Sequence, residues 1–415
     1  MWELLSNTLL LMVFVTLFAI ILGTLCAFLL ERYRFLGKKA FFQVAMTLPL
    51  CIPAFVSCFT WISLTFRVEG FWGTIGIMTL SSFPLAYLPV AATLKRLDRS
   101  LEEVSLSLAK SQAYTFWHAI FPQLKPAIGS SVLLIALHML VDFGAVSILN
   151  YQTFTTAIFQ EYEMAFNNNT AALLSGVLMV ICIFVVMGEI RFRGTQTLYQ
   201  SGKGVIRPYP LKTLSAGKQI LVVSFFTTIF VLSIGVPITM LIYWLTVGSS
   251  IEGAVDFGEF FTAFTNSLTI STLGATLTVI CALPLVWAAV RYRSKLTIWL
   301  DRIPYLLHAV PGLVIALSLV FFTINYAYSL YQTFAMVIVA YFMLYLPMAQ
   351  TTLRSSLEQM SSNIEKVGQS LGRSNFYIFR TLVIPAMLPG IAAAFALVFL
   401  NLMKELTATL LLTPK

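Results

Sequence analysis

Long apolar runs alternate with short polar gaps along the whole chain. A helix that crosses a bilayer needs about 20 mostly apolar residues. Ten stretches meet that length, near 7–30, 41–66, 71–94, 127–149, 171–190, 219–246, 266–290, 303–323, 331–353 and 390–412. The runs are too long for membrane strands and do not alternate residue by residue. The pattern predicts an all-α polytopic membrane protein with about ten transmembrane helices. The longest polar stretch, 191–218, carries Gly194, Gly202, Gly204, Pro208 and Pro210 and reads as a linker.

The pattern also repeats. Asn7-Thr8-Leu9 and Arg32-Tyr33-Arg34 return as Asn266-Ser267-Leu268 and Arg291-Tyr292-Arg293, both 259 positions later. Tyr87-Leu88-Pro89 returns as Tyr345-Leu346-Pro347, and Pro122 and Pro126 return as Pro385 and Pro389. Six crossings separate the copies, so the repeats share one orientation and are related by an axis along the membrane normal. The expected organisation is a first repeat over 1–190, a linker over 191–218 and a second repeat over 219–415. Full symmetry needs one more helix at each end. The chain is therefore expected to be shortened at both termini, with a natural ten-helix protein as the alternative.

Composition agrees with the membrane reading: 59% of residues are apolar and 10% charged, against roughly 25% charged in soluble domains. The net charge of +9 need not mean nucleic acid, because the basic residues lie in clusters between apolar runs. One set of loops holds 23 of the 26 Lys and Arg residues, from Arg32, Arg34, Lys38 and Lys39 to Arg354, Lys366, Arg373 and Arg380. The positive-inside rule makes that set cytoplasmic. The five cysteines, Cys26, Cys51, Cys58, Cys182 and Cys281, lie in apolar segments without metal-ligand spacing. No disulfide framework and no cofactor are expected.

Two cytoplasmic loops stand out, 97–126 and 354–389. Ser100 precedes Glu103 by three residues and Ser362 precedes Glu365 by three, the spacing of a capping box. Leu101, Val104 and Leu108, like Ile364, Val367 and Leu371, then form one face of a short helix. Gly372 can end the second of these helices in a left-handed turn. A further short helix would carry Phe376 and Phe379 and stop near Pro385. The order of acid, two small residues, Leu-Gly, an aromatic and Pro-x-x-x-Pro resembles the cytoplasmic coupling loop of permease subunits in binding-protein-dependent ABC importers. Two copies in one chain resemble the fused permeases of the ferric-iron type. The resemblance implies two copies of an ATP-binding subunit below the membrane, a periplasmic substrate-binding protein, and coupling through Glu102, Glu103, Ala109, Phe116 and Pro122 in one loop. In the other loop it implies Glu365, Lys366, Gly372, Phe379 and Pro385. The match is incomplete. Val104 and Ser105 replace the small pair, Ala109 replaces the glycine, and Lys366 holds the acidic position with Glu365 one residue early. No G-x-x-x-x-G-K-[ST] phosphate loop occurs, so ATP hydrolysis is expected of the partner and not of this chain.

Asp142 and Glu405 fall inside apolar runs at equivalent positions of the repeat, as do His138 and Asn401. An acid within a membrane helix costs about 2.5–3.5 kcal/mol on insertion scales. One reading places these four residues on the translocation path, with the carboxylates in the outer third of the bilayer favouring a cation; ferric iron suits oxygen ligands. The other makes the carboxylates structural, bonded to backbone groups at helix ends. Pro49, Pro53, Pro304 and Pro311 interrupt apolar runs and read as packing kinks more readily than as gating bends. Rival functions are thiamine or polyamine import within the same class, and a proton-driven secondary transporter outside it.

Overall fold

A computed structural model describes residues 1–34, 39–97, 105, 107–108, 111–194, 212–247, 257–292, 294, 297, 299, 303–304, 310–360 and 363–414. The chain divides into two compact units, Met1–Ile251 and Glu252–Lys415. Among the described residues, seven helices are long and apolar enough to cross a membrane, and two sharply bent helix pairs raise the number to nine. The tenth expected span is represented by the shorter helix Gly312–Tyr326.

The first unit opens with α1 (Trp2–Arg32), α2 (Lys39–Ala45) and α3 (Ala54–Leu64). Then come α4 (Phe71–Ser82), α5 (Pro84–Arg96) and α6 (Gln112–Thr115). After a π turn at Phe116–Ile120 the chain forms α7 (Phe121–Val141), α8 (Gly144–Ile148), α9 (Phe154–Glu163) and α10 (Asn168–Gly194). The unit closes with α11 (Ala216–Phe230), a π turn at Val231–Gly235 and α12 (Val236–Val247).

Its centre is a three-helix packing of α1, α5 and α7. Leu11, Val15, Ala19, Cys26 and Leu30 recur on the buried face of α1. Gly23 stands in that row, where a Cβ would lie 2.7 Å from the Phe83 carbonyl oxygen and 2.8 Å from the Tyr87 nitrogen. The backbones of α1 and α5 thus touch, and only glycine fits.

The expected span 41–66 is broken by 92° between Cys51 and Ala54. Pro53 drives Ile52 out of the helical region, to φ −89° and ψ 124°, and then starts α3 itself at φ −56° and ψ 137°. The expected helix 219–246 is present as α11 and α12. By sequence repeat it opens the second half, yet it packs on the first unit. Phe226 and Phe230 meet Phe42 and Phe41 at ring-centroid distances of 5.4 and 5.8 Å, and Trp244 meets Phe59 at 5.1 Å. Nearby, two-residue strands β1 (Tyr33–Arg34) and β2 (Lys212–Thr213) pair in parallel.

The second unit comprises α13 (Phe257–Arg291), α14 (Gly312–Tyr326), α15 (Phe334–Gln359) and α16 (Asn363–Ser370). These are followed by α17 (Asn375–Ile378), a π turn at Phe379–Val383, α18 (Ile384–Ala386), α19 (Leu388–Leu402) and α20 (Thr407–Leu412). Helices α13, α15 and α19 pack on one another as α1, α5 and α7 do, and α14 packs on α20 as α3 packs on α8. Pro311 starts α14 at φ −56° and ψ 140°, matching Pro53. The copies differ after the loop: α18 and α19 meet at a 72° bend, whereas Phe116–Val141 forms one span.

The three π turns share one cause. In each, the residue before a proline donates its N–H five positions back: Phe121 to Phe116, Val236 to Val231, and Ile384 to Phe379. Pro122, Pro237 and Pro385 follow directly. A proline has no N–H for the carbonyl four residues earlier, and its ring crowds that carbonyl. Widening the preceding turn by one residue relieves the crowding while the helix continues.

Candidate coupling loop and buried carboxylates

In the second unit the loop is a helix–turn–helix. Gly372 adopts φ +71°; its N–H bonds the Gln369 carbonyl at 2.9 Å, and the Arg373 N–H bonds the Gly368 carbonyl at 3.2 Å. This pair of bonds closes the end of α16 as a left-handed glycine cap does, as the sequence predicts. Ser374 then caps α17, its hydroxyl accepting from the Tyr377 N–H at 3.3 Å. A Cβ on Gly368 would meet Ile378 at 2.9 Å, so α16 and α17 pack tightly. The outer surface is apolar: Val367, Leu371 and Phe376 are 59%, 72% and 71% exposed. Lys366 and Pro385 are also exposed, and the Arg373 guanidinium lies over the Tyr377 ring.

Glu365 takes a different part from the one expected. Its carboxylate is buried and accepts from Arg291 Nε at 2.7 Å and Trp287 Nε1 at 3.2 Å. The other arm of Arg291 donates to the Met360 carbonyl at 3.2 Å. The side chain expected to cap its own helix is therefore committed to α13. Desolvation raises the pKa of the Tyr292 hydroxyl, and the nearby Glu365 charge adds to the rise. The sequence signal for this pair was the repeated Arg-Tyr-Arg, which the charge pattern explained as topology alone.

Phe379 lies 4.7 Å from Trp287, and Trp287 lies 5.2 Å from Tyr292. The first unit has the same trio: Phe116 lies 5.0 Å from Phe28, and Phe28 lies 6.0 Å from Tyr33. Glu102, Glu103 and Ala109, with Ser100, Leu101 and Val104, lie outside the described residues. Of the rest of that loop, the Ser105 and Thr115 hydroxyls bond at 2.8 Å, Leu108 and Trp117 are exposed, and exposed Pro122 stands in the first turn of α7. The inner end of α1 is fastened through Glu31, which meets Gln43 at 2.9 Å, Lys39 at 3.3 Å and Lys95 at 3.6 Å.

Asp142 and Glu405 stand at helix breaks and not within helices. Helix α7 starts at Phe121, six residues before the expected span, and its 21 residues extend about 31 Å at 1.5 Å per residue. Asp142 follows the last of them, as the C-terminal boundary of α7 at the break before α8. Its Oδ1 accepts from the Ala145 N–H at 2.9 Å, at the start of α8, and its carbonyl accepts from the Thr155 hydroxyl. Glu405 does the same for α20. Its carboxylate accepts from the N–H groups of Thr407, Ala408 and Thr409 at 3.0–3.1 Å and from the Thr409 hydroxyl at 3.2 Å. The free N–H groups of a helix start attract an anion. His138 is exposed in the last turn of α7. Asn401, one turn before the second break, donates to the Leu397 carbonyl at 2.8 Å and contacts Met348 Sδ at 3.5 Å. Among the described residues, no three His, Cys, Asp or Glu side chains gather to hold a metal ion.

A duplicated three-helix core, with an exposed helix–turn–helix between membrane spans in the second unit, is the architecture of a multi-pass helical membrane protein. The chain belongs to the family of binding-protein-dependent transport system inner membrane components, whose model matches residues 6–190 and 281–415. It is a multi-pass protein of the bacterial inner membrane. Among its relatives, the Fe(3+)-transport system permease protein FbpB 2 of Haemophilus influenzae is 81% identical over 413 residues, covering 100% of this chain and 81% of that protein. The ferric transport system permease protein FbpB of Actinobacillus pleuropneumoniae is 22% identical over 83% of this chain and 52% of its own length. A probable sulfate transport system permease protein, cysT of Chlorokybus atmophyticus, is 30% identical over 46% of this chain and 74% of its own.

Proposed function

We propose that this chain is the translocation subunit of an ABC importer for ferric iron. A periplasmic binding protein delivers the iron, and two copies of an ATP-binding subunit drive the cycle from the cytoplasmic side. The observation that carries the coupling role is the stiff helix–turn–helix over Asn363–Ile378, with Val367, Leu371 and Phe376 bare on its outer face. Exposed apolar side chains in a loop rich in Lys and Arg mark a protein-docking surface. The named relative at 81% identity supports iron as substrate.

Within this reading the two repeats cover 1–190 and 219–415, joined by a cytoplasmic linker over 191–218. Lys366, Gly372 and Pro385 shape the second docking surface, and Phe379 seats it on α13. Glu102, Glu103, Ala109, Phe116 and Pro122 serve the first. Asp142 and Glu405 hold the outer helix breaks open for α8 and α20, which the bonds to backbone N–H groups support. His138 and Asn401 stand at the ends of the helices that lead there.

The test is reconstitution of the permease with its ATP-binding subunit in vesicles, with radiolabelled ferric iron on the binding protein. Uptake should require ATP and survive collapse of the proton gradient. Uptake that follows the proton gradient and ignores ATP would sink the reading in favour of a secondary transporter.

A further inference from the structure

At the inner ends of their first helices the two halves carry partly different residues. In the first unit Glu31 ties α1 to α2 and to the end of α5. At the position equivalent to Glu31 the second unit has Val290, and Trp287 stands where the first has Phe28. The second unit has a direct clamp between α13 and the coupling helix. Arg291 Nε and Trp287 Nε1 both donate to Glu365 of α16, and Arg291 also holds the Met360 carbonyl at the end of α15. The charged side chains are only 17% and 8% exposed, so bulk water screens the pair weakly.

We propose that Arg291 is a positioning residue that locks the second coupling helix to α13, so that the two move as one piece when the ATP-binding subunit displaces the loop. This rests on the importer reading above. Three features make the lock stiff. The guanidinium forks between two elements, which fixes its plane. Trp287 adds a second donor to the same carboxylate and packs, tilted, on Phe379, so the clamp and the loop aromatic share one anchor. Gly368 lets α16 press on Ile378, so a pull on Glu365 carries both loop helices. From α13 the displacement passes into α15 and α19, which pack on it. A carboxylate so enclosed does not face the ATP-binding subunit; Glu365 acts on the near side of the loop while Val367, Leu371 and Phe376 act on the far side.

The test uses the full importer in vesicles, with iron-loaded binding protein outside, and compares wild type with Arg291→Gln, Glu365→Gln and Arg291→Lys. The readouts are co-purification of the ATP-binding subunit, basal ATP hydrolysis, and iron taken up per ATP hydrolysed. Both Gln variants should assemble and hydrolyse ATP at the wild-type basal rate while uptake per ATP falls about tenfold. Arg291→Lys keeps the cation and should retain most of the coupling. Wild-type uptake per ATP in the Gln variants would overturn the clamp. So would loss of the ATP-binding subunit from Glu365→Gln alone, which would make Glu365 a docking residue. A lower amount of permease with unchanged uptake per ATP would make the pair a folding element only, and would overturn it too. If wild type itself shows no ATP dependence, the importer reading fails and takes this inference with it; normal coupling in the variants beside an ATP-driven wild type removes this inference alone.

Discussion

Phe116 packs edge-on against Phe28 at 5.0 Å, and Phe379 packs tilted against Trp287 at 4.7 Å. In each half an aromatic at the start of the π turn after the loop rests on the inner end of that half's first helix. The contact joins segments far apart in sequence, so it fixes where the loop leaves the membrane. A double-mutant cycle with Phe28→Ala and Phe116→Ala should give a coupling energy of about 1 kcal/mol, typical of such ring pairs. Thermal unfolding of the detergent-solubilised permease measures it; additive effects would show that the rings do not seat the loop.

Gly372 predicts a sharper loss. Its φ of +71° costs a residue with a Cβ about 1–2 kcal/mol, more for a β-branched one. Gly372→Val should splay α16 from α17 and release the ATP-binding subunit on co-purification. The membrane spans should stay folded, since nothing crowds the position.

The outer face of the loop gives a prediction of the opposite kind. Leu371→Asp with Phe376→Asp places charges on side chains about seven-tenths exposed. The permease should keep its thermal stability within about 0.5 kcal/mol, as surface substitutions usually do. Association with the ATP-binding subunit should be lost in a pull-down. Retained association would place the docking surface elsewhere.

For the outer breaks, the cap role and a substrate-charge role diverge. Asparagine caps a helix start about as well as aspartate. Asp142→Asn should therefore preserve most iron uptake, whereas Asp142→Leu or Glu405→Leu should cost about 1–2 kcal/mol of stability and much of the transport. If Asp142→Asn loses uptake while folding normally, the carboxylate charge itself serves the iron path.

At Gly23 the prediction concerns the core. A methyl group there meets the α5 backbone at 2.7–2.8 Å, and backbone cannot rotate away. Gly23→Ala should destabilise the first unit by about 1–3 kcal/mol, read as a lower unfolding temperature. At the equivalent position the second unit carries Ala282, which is fully buried.

Much of this was legible in the sequence because the bilayer imposes length. The apolar runs gave the spans, and the spaced Arg-Tyr-Arg and proline pairs gave the duplication. The Gly372 turn was legible because few residues accept that backbone. The breaks were not. Residues 127–149 read as one apolar run, and nothing in hydropathy distinguishes an acid inside a helix from one that starts the next. The packing of Phe226 on Phe42 was hidden for a related reason: a repeat assigns a helix to its copy in sequence, while packing assigns it to whichever apolar face it covers. The burial of Glu365 depended on Trp287, seventy-eight positions away, which no local spacing reveals.

Pro53 and Pro311 open α3 and α14 with backbone angles that agree within a few degrees, although Ala54 follows one and Gly312 the other. At the same offset as the prolines Val56 and Val314 also coincide, and Thr60 and Ile62 correspond to Ser318 and Val320. The ring fixes φ in both places, and in both the chain then enters a helix from an extended residue. The two halves thus open α3 and α14 by the same backbone turn, set by a proline in each.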